Sequence, residues 1–235
     1  MSNRTTLMLV AAAALTSAAL IVPASGLAAQ NWTSVTYNNM PAVQGSGRVV
    51  RQNRAVSPFR RIEMMGAEIV EVRLGARPSV VIAADDNVLP LLTSEVRNGT
   101  LKLASRGSYR MRGPVRVWVT TPDLESFVSS GSGDVTIHGV NNARLNLTIN
   151  GSGSMQATGR TGALGLNING SGTAQLAGLA ARNVSAGLHG SGNATVRASG
   201  QLDARVIGSG NLRYVGRPAS VRPTRVGSGR IIAGS

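Results

Sequence analysis

Six Gly-Ser-Gly triplets recur along the second half of the chain, and no other feature restricts its fold so strongly. They are Gly131-Ser132-Gly133, Gly151-Ser152-Gly153, Gly170-Ser171-Gly172, Gly190-Ser191-Gly192, Gly208-Ser209-Gly210 and Gly227-Ser228-Gly229. Successive triplets start 20, 19, 20, 18 and 19 residues apart. A repeat of this length cannot bury an apolar side alone, so it must stack on copies of itself. The residues after each triplet form columns. A polar column (Asp134, Ser154, Thr173, Asn193, Asn211, Arg230) precedes an apolar one (Val135, Met155, Ala174, Ala194, Leu212, Ile231). Two residues further on come Ile137, Ala157, Leu176, Val196, Tyr214 and Ala233. Alternation with period two marks a short half-buried strand. Gly139, Gly159, Gly178 and Gly216 stand eight residues after a triplet begins, with Ala198 as the exception. A second alternating run, such as Leu145, Leu147, Ile149 or Leu164, Leu166, Ile168, leads into the next triplet. Each repeat therefore reads as strand, turn, strand, corner.

Stacking such units turns every column into a ladder with a rung spacing of about 4.8 Å. The expected fold is all-β: a single-stranded parallel β-helix, or solenoid, with rungs of 19–20 residues. Glycine suits the corners because it tolerates positive φ and close backbone approach. The corner serines would stack along the axis, where their hydroxyls could hydrogen-bond. Asn150 and Asn169, each just before a triplet, suit an asparagine ladder, and His189 occupies the same column. An antiparallel meander of hairpins is the competing reading; like residues at a constant period favour the coil. The chain has 29 glycines and only 3% aromatic residues, which suits thin rungs filled by Val, Ile, Leu and Ala.

The first half is less regular. Val70, Val72 and Leu74 alternate with charged residues and predict a strand, with Ser79–Ala83 as its neighbour. Asn98-Gly99 between two alternating runs predicts a tight hairpin. Residues 104–113 read as a basic loop, and Val115, Val117 and Val119 as one face of a further strand. Pro122 then turns the chain towards Leu124–Val128. Without a linker between the halves, residues 45–235 are expected to form one domain: irregular early rungs and a cap over 45–130, then the repeats over 131–235. Residues 30–44 read as a flexible lead-in.

In order and repetition, these motifs resemble the bacterial head GIN domain, a family described as an autotransporter adhesin head. Besides the triplets, the resemblance rests on Gly45-Ser46-Gly47, Arg54-Ala55-Val56, Phe59–Ile62, Asp86-Asn87, Asn98-Gly99-Thr100-Leu101 and Thr121-Pro122-Asp123-Leu124. It covers residues 45–233. It implies a right-handed β-helix-like fold in an exported bacterial protein with an adhesive role, and it brings no catalytic residues with it.

Residues 1–29 have the order of a secretory signal: basic Arg4, an uncharged apolar run from Leu7 to Val22, Pro23, then small residues. Cleavage after Ala28 or Ala29 is expected, with an uncleaved anchor as the alternative. The chain has no cysteine, so neither a disulfide nor a lipidated cysteine can secure it. Export to the periplasm, the cell surface or the medium follows, with no membrane span left after cleavage.

The formal charge is +14, carried by 23 arginines and Lys102 against ten acids. Spread arginines without interleaved aromatic residues do not make a nucleic-acid site. The charge does cluster at the C-terminal end, where Arg213, Arg217, Arg222, Arg225 and Arg230 fall within 18 residues and no acid follows Asp203. These five are the candidate contact with an anionic envelope polymer, a glycan or a lipid surface. Arg225 replaces the apolar residue of Ile149, Ile168, Leu188 and Val206, so the last rung should have shifted register or opened its core. Asp85-Asp86-Asn87 reads as a turn rather than a calcium corner, since Asx residues favour turns. Gly131-Ser132-Gly133-Asp134 lacks the recurring aspartate of calcium-binding repeats. His138 is expected to be solvated, and neither histidine has partners for zinc. No cofactor, metal site or catalytic set is expected. The reading is an exported, non-catalytic β-solenoid acting as an interaction module, with a polysaccharide-active enzyme or a structural envelope protein as alternatives.

Overall fold

The computed structural model describes residues 42–234, and Met40–Ser235 form one compact unit. The expected signal, residues 1–29, lies outside the described residues, as does most of the lead-in. The first half contributes β1 (Val43–Gln44), β2 (Val49–Arg54), β3 (Arg61–Gly66), β4 (Ile69–Leu74) and β5 (Ser79–Asp85). A short 3-10 turn at Leu89–Leu91 leads to β6 (Leu92–Arg97), β7 (Thr100–Ser105), β8 (Tyr109–Arg110), β9 (Arg116–Thr121) and β10 (Ser126–Gly131). The repeats are β11 (Asp134–Gly151), β12 (Ser154–Gly170), β13 (Thr173–Gly190), β14 (Asn193–Ala198), β15 (Gln201–Gly208), β16 (Asn211–Val215), β17 (Ser220–Val226) and β18 (Arg230–Ala233).

The repeats stack in parallel as a β-solenoid, with the columns in the expected register. Asp134, Ser154, Thr173, Asn193, Asn211 and Arg230 pair in succession. Next to them Val135, Met155, Ala174, Ala194 and Leu212 are buried. On the second leg of each rung, Leu147, Leu166, Ala186 and Ala204 form one buried column and Ile149, Ile168, Leu188 and Val206 the next. Each buried Val, Leu, Ile or Met side chain contributes about 1.5–3 kcal/mol and each alanine less, and these columns make one continuous core from Phe59 to Leu212.

Above the repeats the two legs continue as separate ladders. One runs β11-β4-β9-β5-β2, the other β11-β10-β3-β7-β6. Each ends in antiparallel pairing, β9-β5-β2 in one and β7-β6 in the other. The β6–β7 hairpin turns at Asn98 (φ 50°) and Gly99 (φ 70°), the positive-φ pair that Asn-Gly favours. β1 pairs with β8 in parallel, Val43 opposite Tyr109 and Gln44 opposite Arg110.

Two expectations need correction. Gly139, Gly159 and Gly178 do not form one column, because Gly159 lies opposite Val140 and Leu179. The 20-residue rungs carry one residue more than the 19-residue rung, and a bulge absorbs it beside these glycines, so β11, β12 and β13 run through the expected turn. Ser79–Ala83 is not the neighbour of β4, since β9 lies between them. Arg225 keeps its register opposite Val206, so the last rung has opened its core without slipping. Pro223 and Arg225 continue core columns but are exposed, with no further rung over them among the described residues.

The first corner differs from the rest. Gly66 pairs with Gly131 and Ile69 with Asp134, so Gly66-Ala67-Glu68 stands where later rungs have Gly-Ser-Gly. Glu68 thus replaces the buried third glycine and is only 4% exposed. Its Oε1 accepts from the Tyr109 hydroxyl at 3.4 Å, and its Oε2 has no partner among the described residues. Burial raises the Glu68 pKa; burial and then the Glu68 carboxylate push the Tyr109 hydroxyl up to about 12. A folded pKa above the unfolded value means that protonated Glu68 favours the fold, and this contribution is lost as pH rises through the folded value. Glu68→Met should therefore stabilise the protein at pH 8 by about 1–3 kcal/mol, the cost of an unmet buried acceptor. The gain should shrink towards pH 4, where the unfolded carboxyl is also largely protonated. Urea titrations at the two pH values would show this; an equal difference at both would sink the account.

Candidate functional site

The corners are built by the backbone. Ser152, Ser171, Ser191 and Ser209 each donate their amide to the first glycine of the preceding triplet at 2.9–3.0 Å. The serine side chains are exposed, and Ser228–Ser209 (3.1 Å) is the hydroxyl pair that bonds along this column among the described residues. The asparagine column does form: Asn169 donates to Asn150 at 2.8 Å and Asn150 to Ser130 at 3.4 Å, with His189 next in register.

The five C-terminal arginines lie on the last two rungs but on different sides. Arg213 and Arg230 project outward from the first leg, beside Thr195 and Asn211 respectively. Arg222 projects outward from the second leg, 3.9 Å from Asp203, and Arg225 stands on the open end. Arg217 lies between β16 and β17. Asp203 is the acid that meets this group among the described residues.

The other candidates resolve into local structure. Asp85-Asp86-Asn87 clasps the Gly45-Ser46-Gly47 segment: Gly47 donates its amide to Asp85 (3.1 Å), Ser46 to Asn87 (3.0 Å), and Arg48 pairs with Asp86. Hydrogen bonds from Ser46 and then Arg48 hold the Asp86 carboxyl below its ordinary range. His138 is half-buried and lies 3.7 Å from Glu71. No group of three or more His, Cys, Asp or Glu side chains suited to a metal occurs among the described residues.

Sequence reasoning missed the second-leg flank. There Arg60 meets both Glu125 (3.2 Å) and Asp123 (3.9 Å), although 62 residues or more separate them in sequence. Both acids are at least a third exposed, and each shares the same guanidinium. Arg144 and Asn146 lie beside them, and Asn183, Gln201 and Asp203 continue the flank on later rungs. The available signal was the outward column of the second leg, which carries polar residues at the repeat spacing.

No curated protein matches the chain. Solved structures share the fold. A protein described as a "putative adhesin" from Bacteroides fragilis has a TM-score of 0.70 at 23% identity, over 82% of this chain and 100% of that one. A "putative adhesin" from Parabacteroides merdae has a TM-score of 0.54 at 21% identity, over 83% and 99%. A "putative lipid binding protein" from Parabacteroides distasonis has a TM-score of 0.53 at 21% identity, over 83% and 100%. The family model described as "Putative auto-transporter adhesin, head GIN domain" matches residues 58–218. With its stacked Gly-Ser-Gly rungs and that match, the chain belongs to the head GIN domain family.

Proposed function

We propose that this protein is an exported, non-catalytic interaction module that works in the periplasm, at the cell surface or outside the cell, with adhesion as its role. Its basic end makes the contact with an anionic envelope polymer, a glycan or a lipid surface. The observation that carries this reading is the clustering of Arg213, Arg217, Arg222, Arg225 and Arg230 on the last two rungs, where Asp203 is the acid beside them among the described residues. Family membership supports the adhesive role, and a lipid surface is a reasonable target because one protein of this fold is described as lipid binding. The spread of the arginines over two legs and the open end favours a broad, charged surface over a single small-molecule site. Against an enzyme, Asp123 and Glu125 are both engaged by Arg60 and solvated, which is poor placement for a carboxyl that must hold or release a proton during a reaction.

The test compares the parent chain with Arg213→Ser/Arg217→Ser/Arg222→Ser on vesicles containing anionic lipid and on immobilised acidic glycan. Parent binding should be strongest at low salt and fall as the Debye length shrinks from about 10 Å at 0.1 M to 3 Å at 1 M. The triple variant should bind at least tenfold more weakly. No parent binding at low salt, or equal binding by the variant, would leave the arginines as a solvated cap. Recovery of exported chain beginning at Ala29 or Gln30 supports export; retention of Met1 in envelope material counts against cleavage.

A further inference from the structure

Three adjoining depressions of about 460, 500 and 340 Å³ lie along one flank of the solenoid. The first two share Asp123 and Glu125, and the last two share Arg144 and Asn146, so they form one groove. It follows the solenoid axis, because Arg61, Ser126, Asn146, Gly165, Ser185 and Asp203 pair in a single column. Five steps of that column span about 24 Å. Its floor is low where the lining residues are small, at Ala143, Ala163 and Gly165.

We infer that this groove binds an uncharged polysaccharide chain laid along the axis. The inference rests on the interaction-module reading and adds a ligand class at a surface that touches the basic end only where Asp203 meets Arg222. Charge comes first. Arg60, Arg61 and Arg144 are balanced by Asp123, Glu125 and Asp203, so the groove is neutral on a chain of net charge +14. A neutral lining offers no field to gather a polyanion, but it offers donors and acceptors on successive rungs, which is what hydroxyl groups need. At the centre, the side chains of Arg144 and Asn146 are exposed and make no hydrogen bond or ion pair among the described residues. They are therefore available to a ligand without breaking a contact in the fold. At one end Pro58 and Pro122 are exposed and supply apolar surface for the C–H face of a sugar ring.

An extended peptide fits less well. Peptides that add to a sheet need an open edge, and here the strands flanking the groove have spent their backbone groups on the ladder. The repeating rungs instead match a polymer of identical units, each meeting the next rung as it met the last.

The experiment measures binding of the whole chain to a panel of uncharged polysaccharides and to their short oligomers at about 1 M salt, where the Debye length is about 3 Å. At least one uncharged polymer should bind, more tightly than its disaccharide. Arg144→Ala/Asn146→Ala should weaken binding about tenfold, while circular dichroism remains that of the parent, since both side chains are exposed. Arg213→Ser/Arg217→Ser, which leaves Arg222 beside the groove residue Asp203, should bind the uncharged polymer normally. That last variant separates the two readings: the basic end can fail its own test while the groove passes. Absence of binding to every uncharged polymer overturns the inference, as does binding unchanged by Arg144→Ala/Asn146→Ala. Preference for an unstructured peptide pool over polysaccharide overturns it as well.

Discussion

Gly170→Val is expected to unfold part of the repeat stack, or at least to cost about 2–6 kcal/mol. Two effects combine. Gly170 has φ +124°, a conformation that costs a β-branched residue about 1–3 kcal/mol. A Cβ there would also lie 2.6 Å from the Gly151 carbonyl oxygen of the rung above. That oxygen is the acceptor for the Ser171 amide, so moving it away breaks the corner ladder. The adjoining Gly172 has no positive φ but faces the core, where a Cβ would lie 2.6 Å from Ile149 Cγ2. Ser154→Val is the control, since Ser154 stands on the outward polar column and its hydroxyl bonds Asp134 at 2.5 Å. Its loss should be within about 1 kcal/mol. The two variants would be compared by urea denaturation of the purified chain. Coincident midpoints would mean that the corner glycines are replaceable and that the period has another cause.

These glycines also show how much was readable in advance. A triplet recurring every 18–20 residues states a rung length, and equal rung lengths state which residues pair. Hence the columns of Asp134, Val135 and Asn150 were all legible. What failed was local. The glycines at 139, 159 and 178 look equivalent in sequence, yet a one-residue difference in rung length shifts them past one another. Periodicity gives the mean register and cannot say where the odd residue is absorbed. In the first half no repeat fixes the pairing, so Val70–Leu74 and Ser79–Ala83 were placed side by side although β9 separates them. The Asn98-Gly99 hairpin was legible there because its signal is carried by two adjacent residues. The flank groove was harder still. Arg60, Asp123, Asn146 and Asp203 are brought together by the winding of the chain, and none of them belongs to a short motif.

The junction between the irregular half and the repeats makes the other large prediction. Phe127 is fully buried, the largest side chain at zero exposure, and its strand β10 pairs with β3 on one side and β11 on the other. It stacks in register between Ile62 and Leu147, so its ring fills the core where the two halves meet. The neighbouring column is thin at this level, because Ser129 stands between Met64 and Ile149. Ser129 is buried, and its hydroxyl has no partner among the described residues. Little apolar volume is therefore available to collapse into a cavity left by the ring. Phe127→Ala should cost about 3–5 kcal/mol, towards the upper part of that range. Because stability in a solenoid is a sum of rungs and their interfaces, the loss should be local to this interface. Hydrogen exchange should accelerate most in β3, β10 and the second leg of β11, while β12 and β13 retain more of their protection. Met65→Ala is the reference: Met65 lies on the adjacent layer of β3 but is 63% exposed, so its change should stay within about 0.5 kcal/mol. A Phe127→Ala loss as small as that of Met65→Ala would mean that the ring does not fill the junction. Uniform acceleration across every rung would instead show that the solenoid unfolds as one cooperative body, with the junction no more than one of its layers.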